Sequence, residues 1–288
     1  MVEKEGVSKC IVSLANYEGG LTGHSATNSV EITNSGDDLR TEYAFVASDS
    51  AITCAAASGN LLVIGGYDEV VRIFDLETKR SAGELAGVHQ GSLTSLAISR
   101  DSQFVFSGAE DGQIVIWRLA DKGEPLHRLQ VKNINKVVSL SMHSSGRMML
   151  ALYQNGMLRL WNLLDARCLF KRKVGLSREQ DSEGSDDGEK KAKGGEDGDE
   201  SSSEEEEGFN IQNLYQKPEQ VAWEPSQGNL YVVLFTRLME IYSVTKEDGD
   251  EPLHSVTFDT QQTSFGFISP TSLVVADDKG RLTLFENI

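Results

Sequence analysis

The chain has 288 residues, 39% of them hydrophobic, and a formal net charge of −17 at pH 7. Its longest apolar runs are a few residues, far short of the roughly 20 that a membrane-spanning helix needs. The charged opening Met1-Val2-Glu3-Lys4-Glu5 leads into no apolar segment of the kind found in secretory signals. We therefore expect neither a membrane protein nor a secreted one.

Three cysteines, Cys10, Cys54 and Cys168, are far apart and form no C-x-x-C pair or Cys/His cluster. A zinc site or a disulfide framework is therefore not expected. We expect buried reduced thiols, as in a cytosolic or nuclear protein, and no metal or other cofactor.

A repeat of about 43 residues organises most of the chain. Each copy is an apolar strand, a tight polar turn and an alternating strand that ends in an aromatic residue, which predicts a β-hairpin. Two copies are weaker than the rest, and the later ones lie beyond an interruption. The copies occupy residues 61–76, 104–119, 149–163, 230–244 and 273–285.

Further short strands flank these hairpins. One precedes each hairpin, at residues 52–57, 93–98, 137–142, 220–223 and 264–268, and others follow, at 125–130 and 168–171. Four strands in every 43 residues are typical of a propeller blade. The fold class is therefore predicted to be all-β, a β-propeller formed by one domain over residues 1–288.

An acidic stretch interrupts the repeats between the third and fourth blades. Residues 179–207 contain fourteen acidic residues and three lysines. The whole stretch from Ser177 to Gly208 lacks aromatic and β-branched residues, so it cannot bury enough apolar surface to fold. We predict a disordered insert at 177–208, which acts either as a solvated loop or as an acidic arm for basic partners.

Three serines in this insert are candidate phosphorylation sites. Ser201, Ser202 and Ser203 each have a glutamate three residues later, the pattern that acidophilic casein-type kinases favour. Phosphorylation there would add negative charge to the insert.

The second repeat carries four residues that resemble the hydrogen-bonded tetrad of WD40 domains. Val88-His89 stands where that family usually has Gly-His, and Trp117-Arg118 where it has Trp-Asp. The resemblance implies a structural tetrad of His89, Ser107, Asp111 and Trp117. His89, Ser107 and Asp111 also suggest a hydrolase triad, but the repeat context already accounts for them.

The other repeats keep parts of this pattern. Trp-Asp is replaced by Phe74-Asp75, Trp161-Asn162, Tyr242-Ser243 and Phe285-Glu286. His143 and His254 remain as further candidates for the loop histidine. No P-loop, G-x-G-x-x-G, G-x-S-x-G or H-E-x-x-H motif occurs, which favours a non-enzymatic protein.

A closer resemblance is to the p21-activated-kinase-interacting protein 1-like family, the relatives of the yeast maintenance-of-killer WD40 protein. The residues that resemble it lie in six segments, 107–117, 140–147, 158–163, 221–225, 231–233 and 240–242. The resemblance implies a seven-bladed propeller and a nucleolar factor of large-ribosomal-subunit assembly and pre-rRNA maturation. Some family members restrain p21-activated kinases.

The partners that this resemblance implies are proteins, namely ribosome-assembly factors, basic ribosomal proteins or a p21-activated kinase. Fold alone leaves open another adaptor role, such as a ubiquitin-ligase substrate receptor. Basic residues group modestly, at Lys171-Arg172-Lys173 and Lys79-Arg80, so contact with pre-ribosomal RNA is expected to be indirect. The expected location is the nucleus and nucleolus, with the cytoplasm as the alternative.

Five repeats fall short of seven blades. The strand from Cys10 to Ala15 resembles the one that closes the ring in this family, which would place its partner strands beyond Ile288. We therefore expect an incomplete propeller with open sheet edges. A truncated chain is favoured over a natural five-bladed ring.

Overall fold

The fold was analysed in a computed structural model. It describes residues 48–121, 123–130, 135–175, 217–226, 228–244 and 251–287, together with the backbone of three earlier strands. The predicted insert at 177–208 and the candidate phosphorylation sites Ser201, Ser202 and Ser203 lie outside the described residues.

The described chain is built from β-strands and one short 3-10 helix, Leu119–Asp121. The strands are β1 Cys10–Asn16, β2 Thr27–Asn34, β3 Thr41–Val46, β4 Ile52–Ser58, β5 Leu61–Gly66, β6 Val71–Asp75, β7 Arg80–Leu85, β8 Leu93–Ile98, β9 Phe104–Ala109, β10 Ile114–Arg118, β11 Pro125–Leu129, β12 Val137–Met142, β13 Met148–Tyr153, β14 Met157–Asn162, β15 Arg167–Lys173, β16 Pro218–Trp223, β17 Leu230–Phe235, β18 Leu238–Ser243, β19 His254–Thr257, β20 Gln262–Ser269, β21 Ser272–Asp277 and β22 Leu282–Glu286. The described residues contain no helix long and apolar enough to cross a membrane.

Five antiparallel sheets correspond to the five repeats and are called blades 1 to 5. Blades 1 to 4 have four strands each, β4–β7, β8–β11, β12–β15 and β16–β19, and blade 5 consists of β20–β22. The first strands β4, β8, β12, β16 and β20 lie side by side in chain order around the axis. The prediction of an incomplete all-β propeller is confirmed.

The second strand of each blade shows why the blades stack. In β5, β9, β13 and β17 every residue after the first is buried, because another sheet covers each face. The fourth strands, by contrast, are mostly exposed at the rim. Between blades the apolar side chains form successive clusters, so the core is a series of interfaces around the axis.

Blade 5 is covered on one face. Its second strand β21 alternates strictly between buried and half-buried residues, unlike the second strands of the other blades. Leu273 and Val275 pack against blade 4, whereas Leu282 and Leu284 of β22 are exposed. This strand therefore has the alternating burial of a sheet with one solvated face.

The N-terminal strand lies in a sheet with the two strands that follow it. Cys10–Asn16 pairs with Thr27–Asn34, which in turn pairs with Thr41–Val46. The other edge of β1 has no partner strand among the described residues, so the expected pairing with strands beyond Ile288 stays a prediction. Neither β2 nor β3 was predicted, because both lie outside the 43-residue repeats.

Candidate functional site

The four predicted tetrad side chains lie together in blade 2. Trp117 Nε1 lies 2.8 Å from Ser107 Oγ, which lies 2.8 Å from His89 Nε2. His89 Nδ1 lies 3.2 Å from Asp111 Oδ2. The chain of contacts therefore runs from β10 through β9 to the loop before β8 and back to the β9–β10 turn.

The hydrogen positions follow from what each group can donate. A carboxylate can only accept, so His89 Nδ1 carries a hydrogen, and in the neutral imidazole Nε2 then accepts from the Ser107 hydroxyl. Ser107 Oγ in turn accepts from Trp117 Nε1. Each hydrogen bond is thus donated along the chain toward Asp111, so all four side chains have a partner and the network has a single arrangement.

Asp111 also holds two loops by their backbones. Its carboxylate accepts from the N–H groups of Gln90 and Gln113, both at 2.9 Å. Burial alone would raise the pKa of Asp111, but the hydrogen bonds from His89 and these amides outweigh it and lower the pKa. The ionised carboxylate therefore stabilises both loops.

The serine of this network is inaccessible to a substrate. Ser107 is 0% exposed and His89 is 5% exposed. The Ser107 oxygen already accepts from Trp117 in a core contact. A nucleophile must be able to reach a substrate carbonyl next to an oxyanion site. The geometry therefore suits a structural network far better than an acyl-transfer site.

Blade 1 has a different polar cluster at the matching turn. Asp68 occupies the position of Asp111 and pairs with Arg72, whose Nη1 lies 2.6 Å from Oδ2. Ser48 Oγ donates to the same carboxylate at 3.4 Å. Arg72 Nε also lies 3.4 Å from an oxygen of Glu84 on β7. An arginine thus takes the role that the histidine has in blade 2.

Blade 3 keeps the tryptophan but not its acceptor. Ala151 stands in β13 where Ser107 stands in β9, as the register opposite Arg159 and Val115 shows. Nε1 of Trp161 and the hydroxyl of Tyr153 are buried and make no well-formed hydrogen bond among the described residues, but the two groups lie close enough for Trp161 to lower the pKa of the Tyr153 hydroxyl. Burial raises the pKa of Tyr153 to about 12.

Blade 4 replaces the tetrad by a network that joins it to blade 3. Tyr242 stands in the tryptophan position and donates to Glu240 Oε2 at 2.6 Å. The Gly175 N–H donates to the same oxygen at 3.3 Å. Arg172 of β15 donates to the Tyr231 hydroxyl at 2.7 Å and lies over the Tyr242 ring. The end of blade 3 is thereby held against blade 4.

Burial raises the pKa of Glu240, although the hydrogen bonds from Tyr242 and Gly175 act in the opposite direction. Burial and the nearby carboxylate raise the pKa of Tyr242 as well. This network was not predicted from the sequence, because its members come from different blades. The one signal in the sequence was a glutamate, Glu240, among the apolar residues of β18, and the structure shows that it is buried.

Blade 5 has an aspartate at the end of its second strand. Asp277 accepts from Arg281 Nε at 2.8 Å and from Thr260 Oγ1 at 3.1 Å. Burial would raise the pKa of Asp277, but the Arg281 and Thr260 hydrogen bonds outweigh it and lower the pKa. The register places Asp277 at the position of Ala109 in blade 2 and Lys279 at that of Asp111, so this cluster is not a counterpart of the tetrad.

The two other candidate histidines do not occupy this position. His143 follows β12, contacts Ser145 and packs edge-on against Trp223 with ring centroids 4.8 Å apart. His254 is exposed at the start of β19. These contacts place His143 between blades 3 and 4 on a turn.

Polar side chains on the first strands join each blade to the next, and the sequence analysis did not identify them. Ser139 and Ser141 of β12 accept from the N–H groups of Val221 and Trp223 at 3.2 and 3.1 Å. Gln220 makes two hydrogen bonds to the backbone of Phe265 in blade 5. First strands have one sheet partner each, so side chains satisfy their remaining backbone groups.

The same arrangement joins blades 1 and 2 and blades 2 and 3. Thr53 donates to the Leu93 carbonyl, and Thr94 donates to the Val137 carbonyl at 2.6 Å. A cavity of about 410 Å³ is lined by residues of the first strands β4, β8, β12 and β16. Its hydroxyl groups are largely engaged in holding neighbouring blades.

The described cysteines differ from the expectation in one case. Cys54 is half-buried, with its thiol packed in the core, and burial raises its pKa to about 12. Cys168 is exposed at the rim, so the prediction of buried thiols was wrong for that residue. Residues of β15 point outward because no further strand covers them. Among the described residues no group of three or more potential ligands could hold a metal ion.

Comparison with known proteins agrees with this architecture. The WD domain, G-beta repeat family matches residues 84–118, which are the end of blade 1 and the first three strands of blade 2. The tetrad lies within this stretch. Residues 84–118 are therefore a WD40 repeat within a β-propeller.

Its relatives narrow the class further. A p21-activated protein kinase-interacting protein 1-like protein of Gallus gallus is 28% identical over 238 residues, 83% of this chain and 51% of that protein. The one from Xenopus laevis is 25% identical over 270 residues, 94% of this chain and 60% of that protein. Protein MAK11 of Saccharomyces cerevisiae is 34% identical over 94 residues, 27% of this chain and 22% of that protein.

The chain is thus a relative of the p21-activated protein kinase-interacting protein 1-like proteins and of MAK11. It spans between about half and three-fifths of the length of the p21-activated protein kinase-interacting protein 1-like relatives it matches.

Proposed function

We propose that the chain is a non-enzymatic scaffold that acts in large-ribosomal-subunit assembly by binding assembly factors or ribosomal proteins. The similarity to MAK11, 34% identity over 94 residues, is the observation that carries the ribosomal part of this proposal. WD40 propellers are generally protein-binding platforms, and the buried Ser107 supports a structural role for the triad-like residues. Pre-ribosomal RNA would be contacted mainly through partner proteins, in the nucleolus.

A second candidate is restraint of a p21-activated kinase. The names of the Gallus gallus and Xenopus laevis relatives support it, because those proteins are called kinase-interacting. Both functions require a protein-binding surface and no catalytic group, so the fold does not separate them.

Affinity purification of the tagged chain followed by sucrose-gradient sedimentation tests the proposal. Co-migration with large-subunit precursors is the expected result, and the association should survive mild ribonuclease treatment if proteins provide the main contacts. Recovery with a p21-activated kinase in light fractions, without ribosomal precursors, would instead support the second candidate. A Ser107→Ala variant, folded but less stable, is the control for dependence on an intact propeller.

A further inference from the structure

Blade 3 differs from every other blade in its charge. Residues 135–175 contain seven basic residues and one acidic residue, whereas the whole chain has a net charge of −17. The four other blades each contain more acidic than basic residues. The positive charge of blade 3 therefore stands out from a strongly acidic protein, and its surface would attract an anionic partner.

Much of this charge lies on one wall of the blade. Arg159 on β14 stands directly opposite Lys171 on β15, and Met157 stands opposite Lys173 two residues further along. Residues two apart on a strand share a face. Arg159, Lys171 and Lys173 therefore lie on the same face of the hairpin, and together with Leu169 they form what we call the blade-3 wall.

The same position in blade 1 shows how unusual this pairing is. There Arg72 is the counterpart of Arg159, and it stands opposite Glu84, with which it forms an ion pair at 3.4 Å. In blade 3 a lysine replaces that glutamate. Like charges directly opposite on neighbouring strands destabilise a sheet. Within the described chain no acidic side chain pairs with Arg159 or Lys171.

The wall also offers an apolar contact and a free backbone edge. β15 pairs with β14 and is the last strand in its sheet, so its other edge has no partner strand among the described residues. The register shifts near Leu160, and Leu169 at this irregularity is 52% exposed. An extended peptide could pair with such an edge through its main chain.

Nucleic acid fits this wall less well than an acidic peptide. Binding of single strands usually depends on exposed aromatic rings on which bases stack. The aromatic residues of blade 3 are covered, since Tyr153 and Trp161 are buried and Phe170 is half-buried beneath Arg172. Cations, an exposed leucine and an open strand edge together match an extended peptide rich in acidic residues that also carries a few aliphatic ones.

We propose that the blade-3 wall is the docking site for an extended acidic segment of a partner protein. It deepens the scaffold function proposed above by naming the chemistry of one partner. Peptide binding is measured by direct titration, so the blade-3 wall can be shown to bind the peptide even if the chain does not co-migrate with pre-ribosomes. Failure of either experiment therefore does not decide the other.

The test uses the full chain and a fluorescein-labelled twelve-residue peptide of aspartate and glutamate with two leucines, followed by fluorescence anisotropy. The double variant Arg159→Ser/Lys171→Ser should bind about tenfold more weakly. The control Arg118→Ser/Arg128→Ser removes the same charge from exposed residues of blade 2, where Arg128 is the counterpart of Lys171. It should bind within about twofold of the unmodified chain.

A third variant separates the effect of Lys171 on peptide binding from its effect on the stability of the sheet. Lys171→Glu recreates the Arg72–Glu84 pairing of blade 1 in blade 3, so it should raise the melting temperature while it abolishes peptide binding. The proposal is overturned if the unmodified chain does not bind the peptide, or if both double variants lose binding equally. It is also overturned if a twelve-nucleotide oligouridylate displaces the peptide at lower concentration than unlabelled peptide does.

Discussion

The hydroxyl oxygen of Ser107 lies 2.8 Å from the indole nitrogen of Trp117, at the centre of blade 2. The same oxygen lies 2.8 Å from His89 Nε2. One hydroxyl therefore satisfies two buried nitrogen atoms on different elements. Without it, neither nitrogen has another partner in the network.

Ser107→Ala should lower the free energy of unfolding by about 2–3 kcal/mol, because it leaves the Trp117 and His89 nitrogen atoms buried and unsatisfied. Urea titration followed by tryptophan fluorescence measures this. Ser95→Ala on neighbouring β8 is the matched control, since that hydroxyl satisfies one backbone N–H, of Leu140. A loss for Ser107→Ala no larger than for Ser95→Ala would contradict a central role for the tetrad.

Ala151→Ser tests the same interaction in reverse. Trp161 Nε1 makes no well-formed hydrogen bond among the described residues, and Ala151 stands where Ser107 stands in blade 2. A hydroxyl there should raise the free energy of unfolding by about 1 kcal/mol. Thermal denaturation measures the change. Ala151→Cys, of similar size but a weak acceptor, should bring little gain, and equal stabilisation by both would point to packing instead.

Glu240→Gln should stabilise the protein at neutral pH. The pKa of Glu240 is raised in the folded state, so the ionised side chain opposes folding above its unfolded pKa. A glutamine side chain keeps one oxygen that can accept from Tyr242 and Gly175, but it carries no charge. Denaturant titrations at several pH values should show the largest gain at neutral pH. The difference should shrink as pH falls through the folded pKa of Glu240.

A pH-independent difference between Glu240→Gln and the unmodified chain would mean that the gain does not come from the charge. Glu286→Gln, at an exposed position at the end of β22, serves as the comparison for removal of one negative charge.

Gly228→Ala should be strongly destabilising. Gly228 has a φ of +66°, and a Cβ there would overlap the imidazole ring of His143. We expect a loss of more than about 2 kcal/mol, compared with about 1 kcal/mol for the backbone conformation alone. Gly280→Ala isolates that second effect, since Gly280 has a φ of +76° and open space around it. Equal melting temperatures for the two variants would refute the steric explanation.

The two described cysteines should differ in reactivity. Cys168 is exposed, whereas Cys54 is packed in the core with its pKa raised to about 12. The thiolate is the reactive form, so iodoacetamide should modify Cys168 well before Cys54. Peptide mass mapping at successive times measures the order, and unfolding in guanidinium should remove the difference. Faster modification of Cys54 in the native protein would contradict its burial.

The repeats were predictable because a blade is local in sequence. Turns such as Asp111-Gly112 and alternating strands such as β10 follow from rules that need only neighbouring residues. The tetrad residues His89, Ser107 and Trp117 could be named because they lie in a single repeat that resembles WD40 domains. β2 and β3 were not predicted, because they lie outside the repeats.

Contacts between blades could not be read in the same way. Arg172 reaches Tyr231, 59 residues later, and Ser139 reaches Val221 across 82 residues that include the interruption. Such pairs depend on how two separate sheets pack. The charge of blade 3 was visible in the sequence, but the opposition of Arg159 and Lys171 required the register of β14 and β15.

Among the described residues, the hydrogen bonds between first strands share one asymmetry. The side chain belongs to the earlier blade and the backbone group to the later one, as in Thr94 to Val137, Ser139 to Val221 and Gln220 to Phe265. A chain is synthesised from its N-terminus, so each blade has its polar side chains in place before the strand that they bind emerges. Assembly during translation can therefore proceed by addition, each finished blade acting as the template for the next.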